Sequence, residues 1–196
     1  STARAAQEKR IENLLSTAKV QFEAGKFTQP DDDNAYASLR SVLALAQDNA
    51  QAKQALQQLP QQLNDAARRA FNRDEIEATQ RLLSQGLQVW PADPALLATE
   101  QVLRRELQTR KKTEEITALL NTAQTLQRRG NIFSPARDNA INTYEAVLKL
   151  DPSNKTATEA ITVITDDQLR KARLAITAGN FNEAEMLLAQ LAPFAV

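Results

Sequence analysis

The fold is decided by a stretch that occurs twice, as Ile11-Glu12-Asn13-Leu14-Leu15-Ser16-Thr17-Ala18 and, 105 positions later, as Ile116-Thr117-Ala118-Leu119-Leu120-Asn121-Thr122-Ala123. In both copies the apolar residues recur at helical spacing, which places them on one face of an α-helix. No part of the chain alternates cleanly between apolar and polar residues, as a half-buried strand does. The sequence therefore predicts an all-α protein.

The repeated stretch belongs to a longer internal duplication, the feature to seek first in any chain. Residues 11–91 align with residues 116–196 without a gap; Gly25 falls on Gly130 and Pro30 on Pro135. The matches cluster at apolar and turn residues, as expected if packing and turns were kept while the surface drifted. We predict a single repeat domain over residues 1–196, with two helical hairpins in each half and a long helix over 95–129 joining the halves.

Helix boundaries are signalled by turn residues. Three glycines follow helical runs, where a left-handed residue ends a helix: Gly25, Gly130 and Gly179. Asp33 and Asp138 stand where a carboxylate can cap the next helix, and Asp166-Asp167 reads as another helix start. Pro60 predicts a kink or a break, or a new helix with the proline in its first turn.

The composition argues against an enzyme. The chain contains no Cys and no His, which removes thiol nucleophiles, Cys/His zinc sites and the commonest general base at neutral pH. None of its four glycines belongs to a phosphate-binding loop. The formal net charge is zero, whereas a general nucleic-acid binder carries a basic surplus. We expect no catalytic residue, no cofactor, no small-molecule substrate and no nucleic acid.

Two charged clusters have a simpler interpretation than a binding site. Asp31-Asp32-Asp33 lacks the 6–8 oxygen ligands that Ca²⁺ needs in an EF-hand pattern, so we expect no metal there. The basic residues of 104–112 and 128–129 are interleaved with Glu100, Glu106, Glu114 and Glu115. Pairing along the helix is therefore a more economical explanation than contact with nucleic acid or anionic lipid.

The hairpins resemble tetratricopeptide repeats (TPR). A small residue stands where the two helices of a pair touch, at Ala18, Ala67, Ala123 and Ala172. A turn follows at Gly25/Phe27, Asp74/Ile76, Gly130/Ile132 and Gly179/Phe181, and an alanine stands early in the second helix at Ala35, Ala140 and Ala184, with Thr79 as a departure. The resemblance covers roughly 10–92 and 114–192. It implies antiparallel hairpins stacked into a right-handed superhelix, a solenoid with a concave groove for peptides or protein segments.

The resemblance also implies which residues line that groove, because the first helix of each hairpin faces it. They are Ser16, Lys19, Glu23, Asn64, Arg68, Asn121, Gln124 and Arg173, with Glu12, Asp65, Arg128 and Arg170 beside them. Lys19, Arg68, Gln124 and Arg173 occupy equivalent turns, and three of the four are cationic. A groove that favours acidic segments or a C-terminal carboxylate is one interpretation. An ordinary solvated face with helix charge pairs is the other.

Two roles remain open. The first is a protein-binding scaffold; the alternative is a structural spacer or self-association module between a membrane anchor and an effector domain, associating through the apolar end Leu191–Val196. The longer turns of the pattern G-x-[FI]-x-x-P-x-x-D-N-A resemble degenerate repeats of bacterial envelope proteins. We expect a periplasmic or envelope location, with the cytoplasm as the alternative.

No apolar run approaches the roughly 20 residues that span a bilayer. We therefore expect membrane contact only through a segment outside this chain. The chain begins at Ser1 without Met, so we expect a piece of a longer protein or a processed form.

Overall fold

The architecture is helical throughout the part of the chain that the structure, a computed structural model, describes, residues 2–194. Eight α-helices follow one another: Thr2–Glu23 (α1), Ala35–Leu45 (α2), Ala50–Asn72 (α3), Ile76–Val89 (α4), Pro94–Arg128 (α5), Ala140–Leu150 (α6), Lys155–Thr177 (α7) and Phe181–Leu191 (α8). A short 3-10 turn, Ala192–Phe194, follows α8, and these residues contain no strand. The prediction of an all-α protein is confirmed.

The chain divides into two compact units, Ser1–Glu106 and Leu107–Val196. In unit 1, α1 packs against α2 and α3 against α4, and α2 also contacts α3. In unit 2, residues from the end of α5 share a core with α6, while α7 packs against both α6 and α8. The boundary falls within α5, which covers the interval where the sequence predicted one long helix. The apolar end predicted to self-associate includes Ala195 and Val196, which lie outside the described residues.

Each of the four hairpins turns on a residue with left-handed backbone. Three are the glycines singled out in the sequence, Gly25, Gly130 and Gly179, with φ of +74°, +79° and +79°. The fourth is Asp74, with φ of +61°. In every turn the next N–H donates to the carbonyl five residues earlier, as Lys26 does to Gln21 over 2.8 Å. This is the hydrogen bond of a Schellman motif, and it confirms the predicted role of the three glycines.

The helix caps differ from the prediction by one residue. Asn34 caps α2 and Asn139 caps α6, each accepting a backbone N–H on its side-chain oxygen, over 2.8 and 2.9 Å. The prediction of Asp33 and Asp138 as caps is wrong. An amide both accepts and donates, and Asn34 also donates to the carbonyl of Pro30 over 2.7 Å. A carboxylate cannot make that second bond, so asparagine ties the turn to the helix better.

Two further boundaries differ from the prediction. α3 continues through Pro60, so the predicted break or new helix there is wrong, and the kink stays a prediction. Asp166 and Asp167 lie inside α7, so the helix start predicted there is also wrong; Asp167 pairs with Lys171 over 2.8 Å. A proline inside a helix forfeits one backbone hydrogen bond and costs about 3 kcal/mol. The leucines on either side of it, Leu59 and Leu63, are fully buried and offset that cost through the apolar area they remove from water.

The alanines predicted at helix contacts are all buried. They are Ala18, Ala67, Ala123 and Ala172 on the first helix of each pair, and Ala35, Ala140 and Ala184 on the second. Without long side chains there, the paired helices approach closely and leave little room for substitution. Within residues 2–194, none of the helices combines the length and the apolar character needed to cross a bilayer.

Candidate partner-binding groove

A cleft of about 350 Å³ opens between α1 and α3 in unit 1. α1 and α3 form its walls, and α2 forms its floor through Ala35 and Leu39. The residues from α1 are Leu15, Ala18, Lys19, Phe22 and Glu23, and those from α3 are Gln51, Ala55, Gln58, Leu59 and Gln62. Because each wall has one alanine, Ala18 or Ala55, and the floor has a third, Ala35, the cleft contains space that larger residues would fill. The cleft is large enough for an apolar side chain of a partner.

The polar groups around this cleft carry no net charge. Lys19 and Glu23 stand one helical turn apart on α1 and have opposite charges. Opposite them, α3 presents three glutamines at positions 51, 58 and 62. A glutamine amide both donates and accepts hydrogen bonds, as a peptide backbone does. The rim is therefore suited to the backbone of an extended segment rather than to a strongly charged one.

A second cleft of about 460 Å³ continues the first toward the turn of the first hairpin. The two share Phe22, Glu23 and Gln62, so they form one surface, which we call the α1/α3 groove. Phe22 contacts Phe27 edge to face, with ring centroids 5.3 Å apart. Arg69 and Arg73 bring two cations to this end of the groove, and Arg73 pairs with Glu75 over 2.8 Å.

Only two of the eight residues predicted to line a groove lie in it. Lys19 and Glu23 line the α1/α3 groove, whereas Ser16 and Arg68 are exposed outside both clefts. Asn64 is buried, with 5% of its surface exposed. The remaining three belong to unit 2 and are exposed there: Asn121, Gln124 and Arg173. That they share a groove with Lys19 stays a prediction.

The residues missed from the sequence are the glutamines of α3. The repeat resemblance placed the groove face of this hairpin further along the chain, at Asn64 and Arg68. α3 instead begins at Ala50, and its first three turns face α1. The signal was present in the sequence, since Gln51, Ala55, Gln58 and Gln62 recur at helical spacing.

A polar network spans the turn beside the groove; it is buried at Gln21 and Ser38 and exposed at Asp33. Gln21 of α1 donates to Asp33 over 2.8 Å and accepts from Ser38 of α2 over 2.7 Å. Lys26 donates to the other carboxylate oxygen of Asp33. The hydrogen bond from Lys26, followed by that from Gln21, holds the pKa of Asp33 below its usual value. The network connects both helices of the first hairpin to their turn.

Because the folded-state pKa of Asp33 is depressed, its contribution to stability is present above about pH 4 and is lost as the pH falls through the folded value. We expect Asp33→Asn to lose less stability than the native chain between pH 5 and pH 2, measured by urea unfolding. Lys26→Met removes the first donor and should flatten the acid limb in the same direction. Acid limbs as steep as the native one in both variants would contradict this role of Asp33.

Asn64 carries a buried oxygen, Oδ1, that has no hydrogen-bond partner. The equivalent position in the second half of the duplication is Leu169. Removing an unpaired buried polar atom and adding apolar area should raise the free energy of unfolding by about 1 kcal/mol. We therefore expect Asn64→Leu to shift the urea midpoint upward, whereas Asn64→Ala, which leaves a cavity, should not. A lower midpoint for the leucine variant would show that the amide has a partner.

No known family, curated protein or solved structure matches this chain. Among residues 2–194, no group of three or more acidic side chains lies close enough together to hold a metal ion.

Proposed function

We propose that the chain is a protein-binding scaffold of tetratricopeptide type, and that the α1/α3 groove holds an extended segment of a partner protein. The observation that carries the proposal is the open, apolar cleft between α1 and α3, floored by α2. Specific recognition of an extended segment combines pockets for side chains with hydrogen bonds to its backbone. The apolar walls supply the first and the glutamines of α3 supply the second.

The repeat assignment draws support from three local features. Each hairpin turns on a left-handed residue at the position where the repeat pattern has glycine. The small residues at the helix contacts are buried in all four hairpins. Tyr144 and Leu39, which occupy the same position of the second helix in the two halves, are both buried.

The expected ligand is a neutral segment with one large apolar side chain. Lys19 and Glu23 cancel each other, so acidic peptides gain little net attraction at the first cleft. We further propose a periplasmic or envelope location, on the resemblance of the long turns at 26–33 and 131–138 to those of envelope proteins.

A library of random peptides displayed on phage tests the groove directly. We expect peptides selected on the native chain to bind Gln57→Trp equally well and Gln58→Trp at least about tenfold more weakly. The two variants make the same chemical change at adjacent exposed positions of α3, but only Gln58 lines the groove. Circular dichroism should show equal helix content in both.

Two results would overturn the proposal. If the selected peptides bind Gln58→Trp as tightly as the native chain, the binding surface lies elsewhere. If no peptide is enriched over an unrelated helical protein of the same charge, the groove does not bind extended segments.

A further inference from the structure

The last hairpin exposes an apolar patch between α7 and α8. Ile176, Phe181 and Leu188 are 47%, 68% and 41% exposed. With Ala184, Glu185 and Ala189 they surround a shallow depression of about 500 Å³, which we call the α7/α8 patch. Soluble proteins rarely expose several large apolar side chains on one continuous surface, and such a patch usually marks an interaction site.

The internal duplication allows the exposure of these residues to be compared with that of the equivalent residues in unit 1. Leu188 corresponds to Leu83 of α4, which is only 1% exposed. Phe181 corresponds to Ile76 and Ile176 to Phe71, and both of these are half-buried. These three positions are therefore less exposed in unit 1 than in unit 2.

In unit 1 the start of α5 approaches α4 at Gly86, one helical turn after Leu83. α5 follows α4 after a short turn, and Leu96, in its first turn, is fully buried. A side-chain carbon of Leu96 lies 2.8 Å from the place where a Cβ on Gly86 would stand, and Gly86 follows Leu83 by one helical turn. Leu103, seven residues further along α5, is also buried. The start of α5 is thus an amphipathic helix whose buried leucines stand seven residues apart.

We propose that the α7/α8 patch binds an amphipathic helix of a partner protein, antiparallel to α8 and with the leucine spacing of Leu96 and Leu103. The approach of α5 to α4 in unit 1 defines the geometry, because the hairpins are related by the duplication. A second copy of this chain is a poor source of such a helix. The first nine residues of α1 are polar or alanine, and the leucine-bearing start of α5 is already packed in unit 1.

Charge adds a requirement to the partner helix. α8 carries two carboxylates near its start, Glu183 and Glu185, and no basic residue. Glu185 borders the patch and forms no ion pair among the described residues. In an antiparallel arrangement the C-terminal half of the partner helix lies beside these carboxylates. We therefore expect a Lys or Arg directly after its second leucine, as Arg104 follows Leu103 in α5.

The probe is a labelled peptide with the sequence of residues 93–107, capped at both ends and titrated with the native chain by fluorescence anisotropy. We expect saturable binding that weakens at least about tenfold in Phe181→Glu and in Leu188→Glu, because each places a charge in the apolar contact. Glu185→Lys should weaken it about threefold. Val20→Glu, an equally exposed apolar position in α1, is the matched control and should bind normally.

Several results would overturn the proposal. The proposal is wrong if the native chain shows no saturable binding of the peptide. It is also wrong if both glutamate variants keep the binding, because the peptide would then lie on α4 or in the α1/α3 groove. The peptide with serine at the positions of Leu96 and Leu103 must fail to bind. Sedimentation of the native chain alone completes the test: a dimer that Leu188→Glu dissociates would make a second copy the occupant. Gln58→Trp should leave peptide binding unchanged, so this test stands apart from that of the groove.

Discussion

Replacing Tyr144 by alanine should lower the free energy of unfolding by about 4 kcal/mol. Tyr144 lies in α6 with 1% of its surface exposed, at the centre of the core of unit 2. Its hydroxyl donates to the side-chain oxygen of Gln127 in α5 over 2.9 Å. The substitution removes a whole ring from a packed core and leaves the amide of Gln127 without its donor. Urea unfolding followed by circular dichroism measures the loss.

Two variants separate the ring from the hydroxyl. Tyr144→Phe keeps the ring and should cost about 1 kcal/mol, the net value of one hydrogen bond. Burial raises the pKa of the Tyr144 phenol, so the contribution of its hydroxyl to stability is lost as the pH rises above about 10. The phenylalanine variant should therefore lose less stability in alkali.

Tyr36→Ala is the matched control for Tyr144→Ala. Tyr36 is half-buried against Trp90, so its loss should cost less; an equal cost would contradict the central place of Tyr144.

Local features of the fold were predictable where one residue has one physical use. A glycine after a helical run needs no knowledge of the rest of the chain, because only a left-handed residue ends the helix there. The residues that cap the helices were harder to predict. Asp33 and Asn34 both accept hydrogen bonds, and the choice between them depends on where the amide of Asn34 donates, which only the folded turn decides. The break at Pro60 was predicted wrongly because the free-energy cost of a proline in a helix is visible in the local sequence. The burial of Leu59 and Leu63, which offsets that cost, depends on tertiary packing.

The groove was predictable only in part for the same reason. Lys19 and Glu23 lie on a helix whose register the apolar stripe of α1 determines, and both line the cleft. The second wall is formed by the start of α3, whose glutamines the repeat resemblance did not single out. The α7/α8 patch could not be found from hydropathy alone, since Leu83 and Leu188 occupy equivalent positions in the two halves. What differs is how far the two leucines are exposed, a property of the packing and not of the hairpin.

Replacing Gly86 by leucine should lower the free energy of unfolding by about 3 kcal/mol. Leucine favours a helix over glycine by about 1 kcal/mol, so the local preference opposes this result. Packing outweighs this preference and makes the substitution destabilising, because a Cβ at position 86 would stand 2.8 Å from Leu96 and 2.9 Å from Leu63. Both leucines are fully buried and have little room to move. The start of α5 should therefore be displaced from α4, with loss of the burial of Leu96.

The duplication supplies the control, because Leu191 occupies the equivalent position at the end of α8. Leu191→Ala should cost about 1 kcal/mol or less, since Leu191 is only half-buried and no helix corresponding to the start of α5 lies over it among the described residues. The coupled variant is the stricter test. Leu96→Ala makes space for the new side chain, so Gly86→Leu with Leu96→Ala should be more stable than the sum of the two single losses by at least about 1 kcal/mol. Strict additivity, measured by urea unfolding, would mean that Gly86 is small for a reason other than the approach of Leu96. The approach of α5 to α4 in unit 1 would then no longer define the geometry proposed for the α7/α8 patch.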